Sequence, residues 1–123
     1  MKKALVVDDE LDICRLLTLH LKTLGLDAEY VSTIGEAKAK ISPAAYDVIF
    51  VDLNLPDGSG FDLLESLNAI NSTSRIVVIS AYDIERKKAL DYGADGFVPK
   101  PFSKRTIELI LSNLQIITNT YER

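Results

Sequence analysis

One cysteine in 123 residues leaves Cys14 without a partner, so no internal disulfide braces this chain. A lone cysteine among apolar neighbours reads as a small buried hydrophobe rather than a reactive thiol or metal ligand. Basic charge is also short: 14 lysines and arginines face 18 aspartates and glutamates, a net charge of −4. That balance offers no footprint for a phosphate backbone, so no direct binding of nucleic acid is expected. No apolar run approaches the roughly 20 residues of a membrane helix. Met1-Lys2-Lys3 leads into only a short apolar run, so a secretory leader is not expected and a cytoplasmic location is. Repeats, low-complexity tracts and internal linkers are missing as well. What is present is the profile of one globular domain: 47% hydrophobic, 26% charged, and long enough to enclose a core.

Apolar runs rich in β-branched residues punctuate the chain at Ala4–Val7, Val48–Val51 and Ile76–Ile79, with weaker ones at Ala28–Val31 and Gly96–Pro99. Val48-Ile49-Phe50-Val51 is apolar on both faces, as a parallel strand covered by helices on each side must be. Helical patterns lie between these runs. Cys14, Leu17, Leu21 and Leu24 form a stripe over Leu11–Leu24, and Gly25 closes it. Thr33 and Glu36 make a capping box for a short helix to Ile41, with Pro43 just beyond. Phe61–Ala69 follows Gly58-Ser59-Gly60, Asp83 is placed to cap Ile84–Tyr92, and Ser103 opens a last helix with its stripe at Ile107, Ile110, Leu111, Leu114 and Ile117. Five strands alternating with five helices predict an α/β fold with a parallel sheet covered on both faces. The polar tail from Thr118 reads as the start of a linker.

Ligands of open parallel sheets bind outside the carboxyl ends of the strands. Strand one ends in Asp8-Asp9, with Glu10 next, strand three in Asp52, strand four in Ser80 and strand five in Lys100. Any one of these acids would ordinarily end a strand or cap a helix. All of them converging with a lysine form a constellation instead. Carboxylates crowded at one spot raise each other's pKa unless a cation neutralises them, and Mg²⁺ suits a site of hard oxygen donors. A metal and a lysine on a carboxylate pocket are the apparatus of phosphoryl transfer, with Asp52 as the nucleophile and Ser80 as a hydrogen-bond donor.

The acidic pair Asp8-Asp9 belongs to a set of motifs spread over nearly the whole chain. The others are Val48–Leu55 with Asp52 followed by Pro56, Gly58 and Gly60, then Ser80-Ala81, and Gly93-Ala94 before Phe97-Val98-Pro99-Lys100-Pro101-Phe102. In this order and at these intervals the sequence resembles the receiver domains of two-component response regulators. The resemblance implies a flavodoxin-like doubly wound sheet of order 2-1-3-4-5, one receiver domain over residues 1–123, and a cis Lys100–Pro101 peptide bond. It implies that Asp52 accepts a phosphoryl group from a phosphohistidine on a sensor histidine kinase or phosphotransfer protein. Asp9 and Asp52 would ligate Mg²⁺ with the backbone carbonyl of Asn54, Asp8 acting mostly through water, and Lys100 would contact the phosphoryl oxygens. Ser80 and Phe97 match the two switch positions, Phe97 starting out turned to solvent. The partner face would be the fourth helix, fifth strand and last helix, which could also pair two copies or meet an output domain.

Rival functions fit less well. A flavin or nucleotide binder wants backbone amides and small residues after strand one, not Asp8-Asp9-Glu10. A Mg²⁺-dependent aspartyl phosphatase places a second Asp two residues after its nucleophile, where this chain has Asn54, so it is not expected to be an enzyme on outside substrates. A pseudo-receiver acting only through protein contacts would have no need of the full set of site residues. His20 reads as a surface or boundary histidine, Arg86-Lys87-Lys88 as a solvated helix face, and Leu109 with Ile116 as an apolar pair off the core stripe.

Overall fold

The computed structural model describes residues 2–42 and 45–118. The linker reading of the tail beyond Thr118, and Pro43 as the stop after the second helix, lie outside the described residues. Five strands, β1 (Lys3–Val7), β2 (Asp27–Val31), β3 (Val48–Asp52), β4 (Arg75–Ser80) and β5 (Gly96–Pro99), form one parallel sheet in the order 2-1-3-4-5. Every residue of β3 is buried, as its apolar run requires of a central strand. Alternation divides the sheet's side chains between two cores. Leu5, Val7, Ile49, Val51 and Val78 face one side, and Val6, Phe50, Val77, Ile79 and Val98 face the other.

Helices α1 (Leu11–Thr23) and α5 (Lys104–Asn113) cover the second side with Leu17, Leu21, Ile107 and Leu111. Helices α2 (Ile34–Lys40), α3 (Gly60–Ala69) and α4 (Arg86–Asp91) cover the first with Ile34, Leu63, Leu64, Leu67 and Ala89. Fully burying a Leu, Ile or Val in such layers stabilises by about 1.5–3 kcal/mol. Cys14 is buried, as expected. Leu24 closes α1, and Gly25 beyond it takes the left-handed φ of 93°. Thr33 Oγ1 and Ser103 Oγ each accept the amide three residues on, at 3.0 and 3.2 Å. The Glu36 carboxylate reaches back to the Ser32 amide at 3.2 Å.

Two expectations need correction. Asp83 does not cap a continuous helix. Its carboxylate binds the Arg86 guanidinium at 3.0 Å, and Asp83–Glu85 winds as a tight 3₁₀ turn before α4 begins. Ile116 is no exposed partner of Leu109. Gln115 adopts a positive φ of 61°, the Ile116 amide bonds Leu111 O at 2.8 Å, and the Ile116 side chain enters the core while Leu109 stays exposed. Ending the helix at Asn113 thus moves the apolar stripe by one position. The Lys100–Pro101 bond is cis, as the resemblance implies.

Between β3 and α3 the chain makes a small antiparallel hairpin, Asn54–Leu55 against Gly58–Ser59. The hairpin brings Gly60 back onto the end of β3, where its amide bonds Leu53 O at 2.9 Å. A Cβ there would lie 2.3 Å from the Asp52 carbonyl oxygen, so only glycine fits. At the hairpin tip the Asp57 carboxylate accepts the amides of Ile34 and Gly35 at 2.9 and 3.0 Å. The loop after Asp52 is thereby stapled to the start of α2.

Candidate functional site

Parallel register aligns the strand ends. Val7 pairs with Val51, Asp52 with Ile79, and Ser80 with Pro99, so Asp8, Asp52, Ser80 and Lys100 emerge at one edge of the sheet. Asp8 is fully buried and Asp52 is 4% exposed. Lys100 Nζ lies 3.0 Å from Asp8 Oδ2, 2.9 Å from Glu10 Oε1 and 3.5 Å from Asp52 Oδ2. Asp9, Glu10, Asp52, Asn54, Ala81, Tyr82 and Lys100 line an open pocket of about 320 Å³.

Negative charge exceeds positive here. Burial, then the charge of Asp8, raises the Asp52 pKa to about 6, although Lys100 works against the shift. Burial alone would lower Lys100, but the hydrogen bond to Glu10 and the carboxylates of Asp8 and Asp52 beside it overcome this and raise the ammonium above its ordinary value. The Cys14 thiol donates to the Asp8 carbonyl at 3.0 Å, and burial, with the Asp8 charge second, pushes it up to about 11. That thiol is inert at neutral pH.

Glu10 joins the expected acids at this site. Asp8, Glu10 and Asp52 bring carboxylate oxygens within 4.8 Å of one another, whereas Asp9, on the pocket wall, is outside this trio. Asp8 Oδ1 accepts the Glu10 amide at 2.9 Å, while Asp8 Oδ2 is buried with no hydrogen bond of good geometry, only the Lys100 charge beside it. An oxygen so placed, among three hard anionic donors with one lysine between them, fits a small divalent cation such as Mg²⁺. The Asn54 amide approaches Asp52 Oδ1 at 3.4 Å, a long contact that leaves the carboxylate largely free.

Ser80 is fully buried. Its Oγ accepts the Tyr82 amide at 3.0 Å and donates to Glu85 Oε1 at 2.7 Å. Phe97 is not turned to solvent as expected: it is 7% exposed, with the Arg86 guanidinium 4.7 Å from its ring centroid. The ring fills the first core layer beside Val78, and the arginine covers what solvent would otherwise reach. His20 stands at the boundary of the fold, edge-on to Phe102 at 6.4 Å. The roles of Glu10 and Glu85 escape a reading by strand ends: Glu10 sits one residue past the acidic pair, and Glu85 meets Ser80 only across a loop.

The family model for the response regulator receiver domain matches residues 4–112. The response regulator protein PilR of Pseudomonas aeruginosa is 34% identical over 118 residues, covering 94% of this chain and 26% of PilR. This chain spans about half or less of the curated relatives it matches. Among solved structures, a CheY-like receiver domain from Methylobacillus flagellatus superposes with a TM-score of 0.83 at 32% identity, covering 93% of this chain and 98% of that one. The response regulator TrrA of Thermotoga maritima, in complex with Mg²⁺-BeF, superposes with a TM-score of 0.84 at 28% identity over 93% of this chain and 99% of that one. With the acids of β1 and β3 and the lysine of β5 gathered at one sheet edge, sequence and fold agree that this chain belongs to the response regulator receiver family.

Proposed function

We propose that this domain is a phosphoryl-accepting switch in which Asp52 takes the phosphoryl group from a phosphohistidine of a sensor kinase or phosphotransfer protein. The observation that carries the reading is Asp52 itself, buried at the end of β3 between Asp8, Glu10 and Lys100 yet open to a pocket. An Asp52 carboxylate oxygen attacks phosphorus, the P–N bond to the donor imidazole breaks, and the imidazole nitrogen keeps the electron pair. Lys100 holds a positive charge beside the developing phosphoryl oxygens. Asp9, Asp52 and the Asn54 carbonyl would hold Mg²⁺, with Asp8 acting mostly through water and Glu10 close by. When bound, the cation neutralises the acids and phosphoryl oxygens in a way one lysine cannot. The Mg²⁺-BeF complex of TrrA supports this assignment by likeness.

Residues 1–123 form one receiver unit, and it acts in the cytoplasm. Among the described residues no helix is long and apolar enough to cross a membrane. The face made by α4, β5 and α5 meets the downstream partner or a second copy of the chain, and the acidic net charge argues against direct contact with nucleic acid. Asn54 in place of a second acid supports a domain that turns over only its own phosphoryl group. Incubation with a small phosphodonor and Mg²⁺, followed by intact mass, tests the reading. One labile phosphoryl adduct is expected on the wild type and none on Asp52→Asn or in chelator. Undiminished labelling in either would overturn it.

A further inference from the structure

Ser80 has a single proton to donate. It gives that proton to Glu85 Oε1 at 2.7 Å, while its oxygen accepts the Tyr82 amide. The hydroxyl is fully buried and stands outside the residues lining the Asp52 pocket. Donation to a carboxylate is charge-assisted and strong. Donation to Glu85 and donation to a phosphoryl oxygen on Asp52 therefore exclude one another. Glu85 ends the 3₁₀ turn, and the next residue, Arg86, covers the Phe97 ring and binds Asp83. Two adjacent residues thus hold both Ser80 and Phe97.

We propose that Glu85 is a positioning residue that competes for the Ser80 hydroxyl and biases the domain against its phosphoryl-bound arrangement. The proposal rests on Asp52 being the phosphoryl acceptor. Binding of a phosphoryl group draws Ser80 only by the margin over Glu85, so the carboxylate sets how readily the switch responds. Release of Glu85 frees the start of α4 and, with it, the arginine over Phe97.

Beryllofluoride in saturating Mg²⁺ serves as the phosphoryl probe, titrated calorimetrically into the whole chain. Glu85→Ala should bind it about tenfold or more tightly than the wild type, the ratio expected on losing one charge-assisted competitor. Glu85→Gln, which keeps an uncharged acceptor, should fall between. In a Ser80→Ala background the Glu85→Ala change should have no effect, because no proton is left to compete for. Wild-type affinity in Glu85→Ala, or the same tightening without Ser80, overturns the competition while leaving Asp52 as acceptor. Failure of the wild type to bind the probe at all overturns the acceptor reading and, with it, this one.

Discussion

Replacing Asp52 by Asn should make the domain more stable at neutral pH, and the gain should disappear in acid. Asp52 is 4% exposed, and burial with the charge of Asp8 lifts its pKa from 3.8 to about 6. Between those values the unfolded chain has released a proton that the folded chain retains. Stability therefore falls as pH rises from about 4 to about 6 and stays reduced above. About two tenfold steps in proton affinity set a ceiling of about 3 kcal/mol at pH 7. The pocket is open to solvent and Lys100 adjusts to the charge, so about 1–2 kcal/mol is the expected gain for Asp52→Asn, or several degrees in Tm. Urea denaturation of both proteins from pH 4 to pH 8 without Mg²⁺ measures it. Adding Mg²⁺ should narrow the gap, since a cation that binds the folded wild type stabilises it by mass action. A variant no more stable than the wild type at pH 7, or a gap equally large at pH 4, would refute the reasoning.

Gly60→Ala should cost about 3 kcal/mol or more, because its Cβ would sit 2.3 Å from the Asp52 carbonyl oxygen; an unchanged urea midpoint contradicts this. Cys14, raised to about 11 and buried, should react with thiol reagents at pH 8 only on unfolding, so rapid stoichiometric labelling of the native domain would count against it. Asp57→Ala should speed hydrogen exchange at the amides of Ile34 and Gly35 specifically; unchanged exchange there would show that the staple to α2 does not hold them. Tyr82, exposed along the pocket wall, should screen the Asp52 adduct from water, so Tyr82→Ala should shorten its lifetime several-fold, and an equal hydrolysis rate removes that role.

The sheet was legible because its signals are local. Val48–Val51 is apolar on both faces and must be central, and each polar residue that ends an apolar run must surface at the sheet's carboxyl edge. Register then brings Asp8, Asp52 and Lys100 together without further information. Features set by contacts across loops were not legible. Asp83 has the composition of a cap, but Arg86, three residues on, takes its acceptor. Ile116 looks exposed on an extended helix and is buried because Gln115 turns the chain back. Glu10 comes beside Asp8 and Asp52 at a bend after β1 where Asp8 Oδ1 accepts the Glu10 amide, a contact that strand ends do not announce. The inward Phe97 lies under an arginine eleven residues earlier, a pairing no periodicity encodes.

The two halves of the site carry opposite kinds of stress. On the side of β1 and β3, three acids share one lysine, and the folded state holds the Asp52 carboxyl against its preference to ionise. That penalty falls at the end of β3, a strand locked between two cores, where it is tolerated without moving the sheet. On the side of β4 and β5 nothing is left wanting: Ser80 has both a donor and an acceptor partner, and Phe97 is covered. A cation and a phosphoryl group bound there would relieve the first half, but satisfying them fully would require taking Ser80 from the second. The conflict falls on Asp83–Glu85 and α4, a short segment with few buried side chains, where opening is least costly. On the proposed competition, opening is directed to α4 by where the fold is already satisfied and where it is not.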